Sequence, residues 1–169
     1  TIIVYQHSTS LLLIKRANKY LPIIEPILKK NNIPDDFKYL AVIESSLDPR
    51  AQSPAKAAGI WQLMPATAEQ FGLEVSAEVD ERYHIEKATE AACKYLKSAF
   101  NKYRSWTTVA VSYNAGMGRI SGELEKQNVE DAFDMYLNTE SSRYMFRIMA
   151  MKQLLEHHEK FGYNVENDD

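Results

Sequence analysis

Apolar residues recur at spacings of three and four through stretch after stretch of this chain, and only one short run reads otherwise. That run, "TIIVY" at residues 1–5, is the one β-branched cluster, and it sits at a terminus. The helical period therefore governs what the chain can fold into. "SLLLIKRANKYLPIIEPILKK" keeps the period but contains Pro22 and Pro26. It reads as one helix bending at Pro22 or as two short ones. Pro34, Asp35 and Asp36 suit the start of a second helix, through capping and the dipole, and Pro49 stops it. Pro65 fits the first turn of a short helix ending at Gly72. "EKATEAACKYLKSAFNKY" is Ala-rich and strongly helical. "SWTTVAVSYNAG" reads as a further helix, broken by Gly116 and Gly118. "ESSRYMFRIMAMKQLLEHHEKFG" reads as a long helix closing at Gly162. The expected fold is all-α: a single domain over residues 1–169, with its core at about 20–155 and a polar, frayed tail at 163–169.

Composition narrows the partners. The chain has 169 residues, enough for one sizeable core, and its formal charge of -3 gives no basic footprint for nucleic acid. No apolar run is long or uninterrupted enough to span a membrane. A single cysteine, Cys93, excludes an internal disulfide framework. The chain begins with Thr1 rather than Met, which reads as a processed or trimmed piece, so a missing leader says nothing about export.

The main anomaly is Glu44. Phe37, Leu40, Ala41 and Glu44 share one face of a helix starting near Asp35, and Tyr39, Val42 and Ile43 make its other sides apolar too. A carboxylate there loses water near a helix C-terminus, and both effects raise its pKa. That is what a general acid at near-neutral pH needs. The alternative is a structural ion paired to Arg50 or Arg82.

Other segments admit a functional and a plain reading. Gln62, after the Gly59-Ile60-Trp61 segment, offers donors and an acceptor that match sugar hydroxyl and acetamido groups. Trp61 reads better as a core anchor than as a stacking platform, and Met64 as an apolar wall or as core filler. Tyr113 and Asn114 read alone as a core aromatic and a helix C-cap. Glu140 suits the start of the last helix, and Tyr144 is a further candidate core aromatic. Asp48 reads as a turn residue, and Asp80, Glu81 and Arg82 as structural pairing or capping. His157 and His158 point about 100° apart on a helix and make no metal pair. His7 and His84 are isolated and read as surface residues. No HExxH, GxSxG, phosphate-loop or EF-hand pattern is present.

Together the segments are far more specific. The order Glu44-Ser45, then Gly59-Ile60-Trp61-Gln62, then Tyr113-Asn114-Ala115-Gly116, then Glu140 through Tyr144 resembles the soluble lytic transglycosylase domain family. Ile33-Pro34-Asp35-Asp36, Gly59 through Pro65 and Asp80-Glu81-Arg82 are most similar in style to its membrane-bound lytic murein transglycosylase D subgroup. The resemblance covers roughly residues 20–155. It implies a lysozyme-like fold and cleavage of bacterial peptidoglycan strands. Glu44 then matches the catalytic acid/base. Ser45, Gln62, Met64, Tyr113 and Asn114 match positions that hold sugar or wall the groove. Tyr144 matches the tyrosine facing the catalytic acid, and Glu140 the acidic residue before it. Ser112 stands where Ala is usual and Ser141 where Thr is usual, and neither change removes a group the chemistry needs.

The resemblance further implies a non-hydrolytic cut between N-acetylmuramic acid and N-acetylglucosamine, leaving 1,6-anhydro ends, with no cofactor and no metal. The expected partner is the peptidoglycan strand and the expected place the periplasm or outer membrane. The longer protein is expected to carry a lipid anchor and further glycan-binding modules, and the domain to act as a monomer. A hydrolytic goose-type lysozyme, using Asp48 or Asp80 as a second acid, and a silent glycan-binding domain are the competing readings.

Overall fold

The computed structural model describes residues 2–132, 134 and 139–163, with side chains described for 9–132, 134 and 143–163. Seven α-helices are found there: α1 (Ile2–Lys30), α2 (Lys38–Ser45), α3 (Pro65–Gln70), α4 (Ile85–Tyr103), α5 (Trp106–Ala115), α6 (Met117–Gln127) and α7 (Thr139–Glu156). Short 3-10 turns lead into α2 (Asp35–Phe37) and α4 (Glu81–Tyr83) and follow α7 (His158–Phe161). Among the described residues there is no strand, only isolated bridges in two loops.

The structure settles two open points and corrects one expectation. Residues 2–5 of the β-branched run lie in the first turn of α1. α1 is one helix and runs through both prolines. Pro22 and Pro26 lie four residues apart on its exposed side, so water can reach the carbonyls they orphan. The opposite stripe, Leu13, Ile14, Ala17, Ile24 and Leu28, is buried. Finally, Gly116 (φ 86°) does end α5, but Gly118 does not break the chain: it lies in the first turn of α6, a helix the periodicity left unassigned. The polar tail at 164–169 lies outside the described residues.

The core is continuous from α1 through α5. Trp61 sits fully buried within it, and its Nε1 donates to Thr89 Oγ1 at 2.8 Å. This is the core-anchor reading of Trp61. Cys93 is also fully buried. The N-terminal end of α2 is tied to α1 through Lys38, whose Nζ donates to Glu25 at 2.7 Å and to Asp35 at 2.6 Å.

The chain between α2 and α3 is irregular yet tightly fixed. Ser46 and Leu47 take left-handed backbone conformations (φ 52° and 55°), with Leu47 fully buried. Gln52 pairs with Ala58, and Ala58 with Leu63, as bridges. Arg82 staples this loop from outside. Its guanidinium is 4 % exposed, grips Asp80 at 2.9 and 2.7 Å, and donates to the carbonyls of Lys56 (2.7 Å) and Leu63 (3.0 Å). A planar donor fork suits this simultaneous hold on a carboxylate and two carbonyls.

Candidate active site

Glu44 lies in the last turn of α2, half-buried, where α2 meets α7. Tyr144 of α7, itself 2 % exposed, donates its hydroxyl to Glu44 Oε1 at 2.8 Å. Burial raises the Glu44 pKa above the ordinary carboxylate value. The Tyr144 hydrogen bond and the positive charge of Arg147 oppose that rise without cancelling it. Arg147 lies one turn beyond Tyr144 and donates to the Ile43 carbonyl at 3.4 Å. Among the described residues Glu44 forms no ion pair with Arg50 or Arg82: Arg82 is committed to Asp80, and Arg50 is exposed.

The residues expected to hold sugar form a scaffold around this carboxylate. Ser45 Oγ lies 3.0 Å from the Ala41 carbonyl and 2.8 Å from that of Ile60, joining α2 to the Gly59–Gln62 turn. Gln62 adopts φ 48°, and its amide nitrogen donates to the carbonyls of Ala51 (3.1 Å) and Gly59 (2.9 Å). Both amide hydrogens are thereby used within the loop, and the side-chain oxygen remains as an acceptor. Tyr113 is half-buried and donates to the Trp61 carbonyl at 2.7 Å. Its ring meets Trp61 and Tyr95 edge-on, at centroid distances of 6.4 and 5.4 Å. Burial and the Glu44 charge both push the Tyr113 and Tyr144 phenols up, so both stay neutral donors.

Glu44, Ser45, Gln62, Tyr113 and Tyr144 are thus linked through α2, the 59–62 turn, α5 and α7. Asn114 is exposed at the end of α5, and Met64 is 44 % exposed just before α3. Glu140 lies in the first turn of α7, and its side chain falls outside the described residues. Arg147 was missed by the sequence reading, although its spacing from Tyr144 puts both on one helix face.

The other acids are committed elsewhere. Asp48 accepts from Arg16 at 2.7 Å and from the Arg50 backbone N–H at 3.0 Å. The Arg82 guanidinium holds the Asp80 carboxyl below the usual range. His84 is exposed at the start of α4, facing Glu86. Among the described residues, no group of three His, Cys, Asp or Glu is placed to hold a metal ion, and no helix is long and apolar enough to cross a membrane.

Residues 22–136 match the transglycosylase SLT domain. The chain is 28 % identical over 170 residues to membrane-bound lytic murein transglycosylase D of Escherichia coli (strain K12), covering 98 % of this chain and 37 % of that protein. It is 30 % identical to membrane-bound lytic murein transglycosylase C of Haemophilus ducreyi, over 80 % of this chain and 40 % of that one. It therefore spans little more than a third of the length of the transglycosylase D relatives it matches. Among solved structures, the 70 kDa soluble lytic transglycosylase SLT70 from Escherichia coli superposes with a TM-score of 0.67 at 21 % identity, covering 83 % of this chain and 24 % of that one. At that identity the likeness concerns the fold, which is lysozyme-like and mainly α. The matched segment makes up most of the chain and includes the helix of Glu44, the Gly59–Gln62 turn and α5, so the chain belongs to the transglycosylase SLT domain family.

Proposed function

We propose that the domain is a peptidoglycan lytic transglycosylase with Glu44 as its acid and base. One observation carries the reading: a half-buried carboxyl of raised pKa, bonded to the neutral phenol of Tyr144, while the candidate second acids Asp48 and Asp80 are ion-paired to arginines. Glycoside hydrolysis ordinarily needs two working carboxylates. A lytic cut needs one group used twice.

In the first half-reaction the Glu44 proton passes to the glycosidic oxygen, which leaves on C4 of N-acetylglucosamine as the bond to C1 of N-acetylmuramic acid breaks. Positive charge on C1 and the ring oxygen is relieved by the sugar's own acetamido carbonyl. In the second half-reaction the C6 hydroxyl of that ring attacks C1. Its proton returns to the Glu44 carboxylate, and a 1,6-anhydro ring remains. No water is consumed. The attacking hydroxyl is already tethered to the reacting ring, so its effective molarity far exceeds that of a bound water.

Gln62 offers its oxygen to sugar hydroxyl or amide donors, Asn114 and Met64 edge the groove, and Ser45 and Tyr113 fix the turn that carries Gln62. Glu140 and Tyr144 complete the α7 side. The relatives named as membrane-bound murein transglycosylases support an exported bacterial protein acting on murein, with an anchor and any glycan-binding modules in the longer protein. The domain itself works as a monomer. Digestion of purified peptidoglycan, followed by mass spectrometry, tests the chemistry. Product ends one water lighter than hydrolysed ends, and inert to borohydride, are expected. Predominantly reducible ends would replace this reading with the hydrolytic one.

A further inference from the structure

Glu44 and Tyr144 are the inner end of a longer polar seam. From the C-terminal end of α2 backwards, Glu44 meets Tyr144, Ile43 meets Arg147, Tyr39 meets Glu156 and Asp36 meets Lys152. From Glu44 to Tyr39 the α7 partner numbers rise as the α2 numbers fall, so the two helices run antiparallel, while Asp36 of the preceding 3-10 turn reaches back to Lys152, one turn before Glu156. At the far end the Tyr39 hydroxyl donates to Glu156 at 3.0 Å, and Lys152 Nζ donates to both oxygens of Asp36 at 2.7 and 2.9 Å. Tyr39 is 1 % exposed and its neighbour Lys38 is tied to α1, so the seat of this contact is firm.

Between the two ends Met145, Ile148 and Met151 of α7 pack against the core while only partly buried. Of its described side chains, Tyr144 alone is buried, while Phe146 and Met149 are 70 % and 60 % exposed. A cavity of about 330 Å³ lies between α7 and the α2–α5 pair, lined by Phe37, Leu40, Trp106, Ala110, Ile148 and Met149. The cavity opens to solvent and is also lined by Asp36 and Lys152, so directional polar contacts add to partial packing in fixing where α7 sits along its axis. At about 1.5 Å per residue, the far contacts lie roughly 12–18 Å along α7 from Tyr144.

We propose that Asp36, Tyr39, Lys152 and Glu156 form a distal clamp that sets the register of α7 and so holds the Tyr144 hydroxyl on Glu44. They are positioning residues: none touches the reacting carboxyl. The idea rests on Glu44 as the catalytic group, and it adds a remote control of that group's proton affinity. Among the described residues, the titratable and charged groups facing Glu44 are Tyr144 and Arg147 from α7 and Tyr113 from α5. The clamp acts through the first two.

A double-mutant cycle tests it. The clamp variant combines Tyr39→Phe with Lys152→Ala, each change removing a polar tie while leaving the buried ring or the backbone in place. In the wild-type background we expect kcat to fall roughly 5–10-fold with KM nearly unchanged, because a hydrogen bond to a charged group is lost or lengthened. In the Tyr144→Phe background the same pair should cost less than about twofold, since the bond it protects is already gone. Carbon-13 titration of the Glu44 carboxyl should report a higher pKa in the clamp variant and the same pKa with or without the clamp once Tyr144 is Phe. Lys152→Arg should restore the wild-type titration when paired with native Tyr39. An equal loss in both backgrounds, or an unmoved Glu44 titration, overturns the proposal. Should the double variant melt below the assay temperature, Lys152→Ala alone decides by the same titration. The products are weighed in every assay. Reducible ends would fail the transglycosylase reading, while the cycle would still report on the clamp.

Discussion

The carbonyl oxygen of Arg82 lies 1.9 Å from where a Cβ on residue 59 would stand, and Gly59 itself has φ 75°. The Arg82 backbone and the Gly59 turn therefore touch through a space only a hydrogen can occupy. Gly59→Ala should destabilise the fold by about 3 kcal/mol or more, from left-handed backbone strain plus a clash with rigid main chain. Activity should fall further than stability alone explains, because Gln62 and the Ser45–Ile60 bond hang on the same turn. Thermal melting and a turbidity assay well below the melting temperature check both parts. A variant that melts within a degree of wild type would refute the close approach.

Glu44→Gln should keep the fold and lose activity by roughly 10²–10⁴ or more, since a general acid supplies about that much and the proposed mechanism uses this one in both halves. Retention of a tenth of wild-type activity would move the acid elsewhere. Stability follows from the sign of the pKa shift. A carboxyl raised in the folded state is favourable below its unfolded pKa and becomes a cost as pH rises toward and through the folded pKa. The glutamine variant should therefore gain stability relative to wild type at pH 8 and little at pH 4. Denaturant melts at the two pH values read this directly, and the opposite pH dependence would contradict the burial.

Tyr144→Phe should lower kcat roughly 10–100-fold, the equivalent of a charge-assisted hydrogen bond of about 1.5–3 kcal/mol. Because that bond stabilises the carboxylate form, its loss should raise the Glu44 pKa further. The alkaline limb of the pH–rate profile should accordingly move to higher pH. A limb that stays put, or moves down, would mean that the phenol does not act on Glu44 in the working enzyme.

Cys93 is fully buried, and burial pushes its thiol up to about 12. The thiolate is the reactive form, so the native protein should resist a disulfide exchange reagent such as Ellman's at pH 8, and one thiol per chain should react in denaturant. Rapid labelling of the native protein would indicate that the α4 face carrying Cys93 opens.

How far the site was legible depended on whether its information is local. Glu44 stood out because an acid interrupts an apolar helical face, a pattern visible within ten residues. α2, α4 and α7 were readable because each is a run of good helix formers with no glycine or proline inside it. α6 was not: two of its first six residues are glycines, and its buried side includes only Ile120 and Leu124. The continuity of α1 through Pro22 and Pro26 depends on those prolines facing water, which no local signal encodes. Arg82 could be read as pairing with Asp80, which is close in sequence, but not as the staple of a loop some twenty residues earlier. Ser45 and Gln62 could be singled out as candidates, but not the carbonyls that occupy their hydrogens, since those partners arrive only with the folded turn.

The bond from Tyr144 also divides the labour between the two oxygens of Glu44. A phenol has one hydrogen to give, and here it points at Oε1. When the carboxyl is protonated, its own hydrogen is favoured on Oε2, because a protonated Oε1 would be a weaker acceptor for the phenol. The two oxygens are no longer equivalent: one is an anchor, and the other is the single address from which a proton departs and to which it returns. In the mechanism proposed above, an acid that gives and then takes on one sugar face would need no rotation between the two acts, because the same oxygen faces the sugar in both.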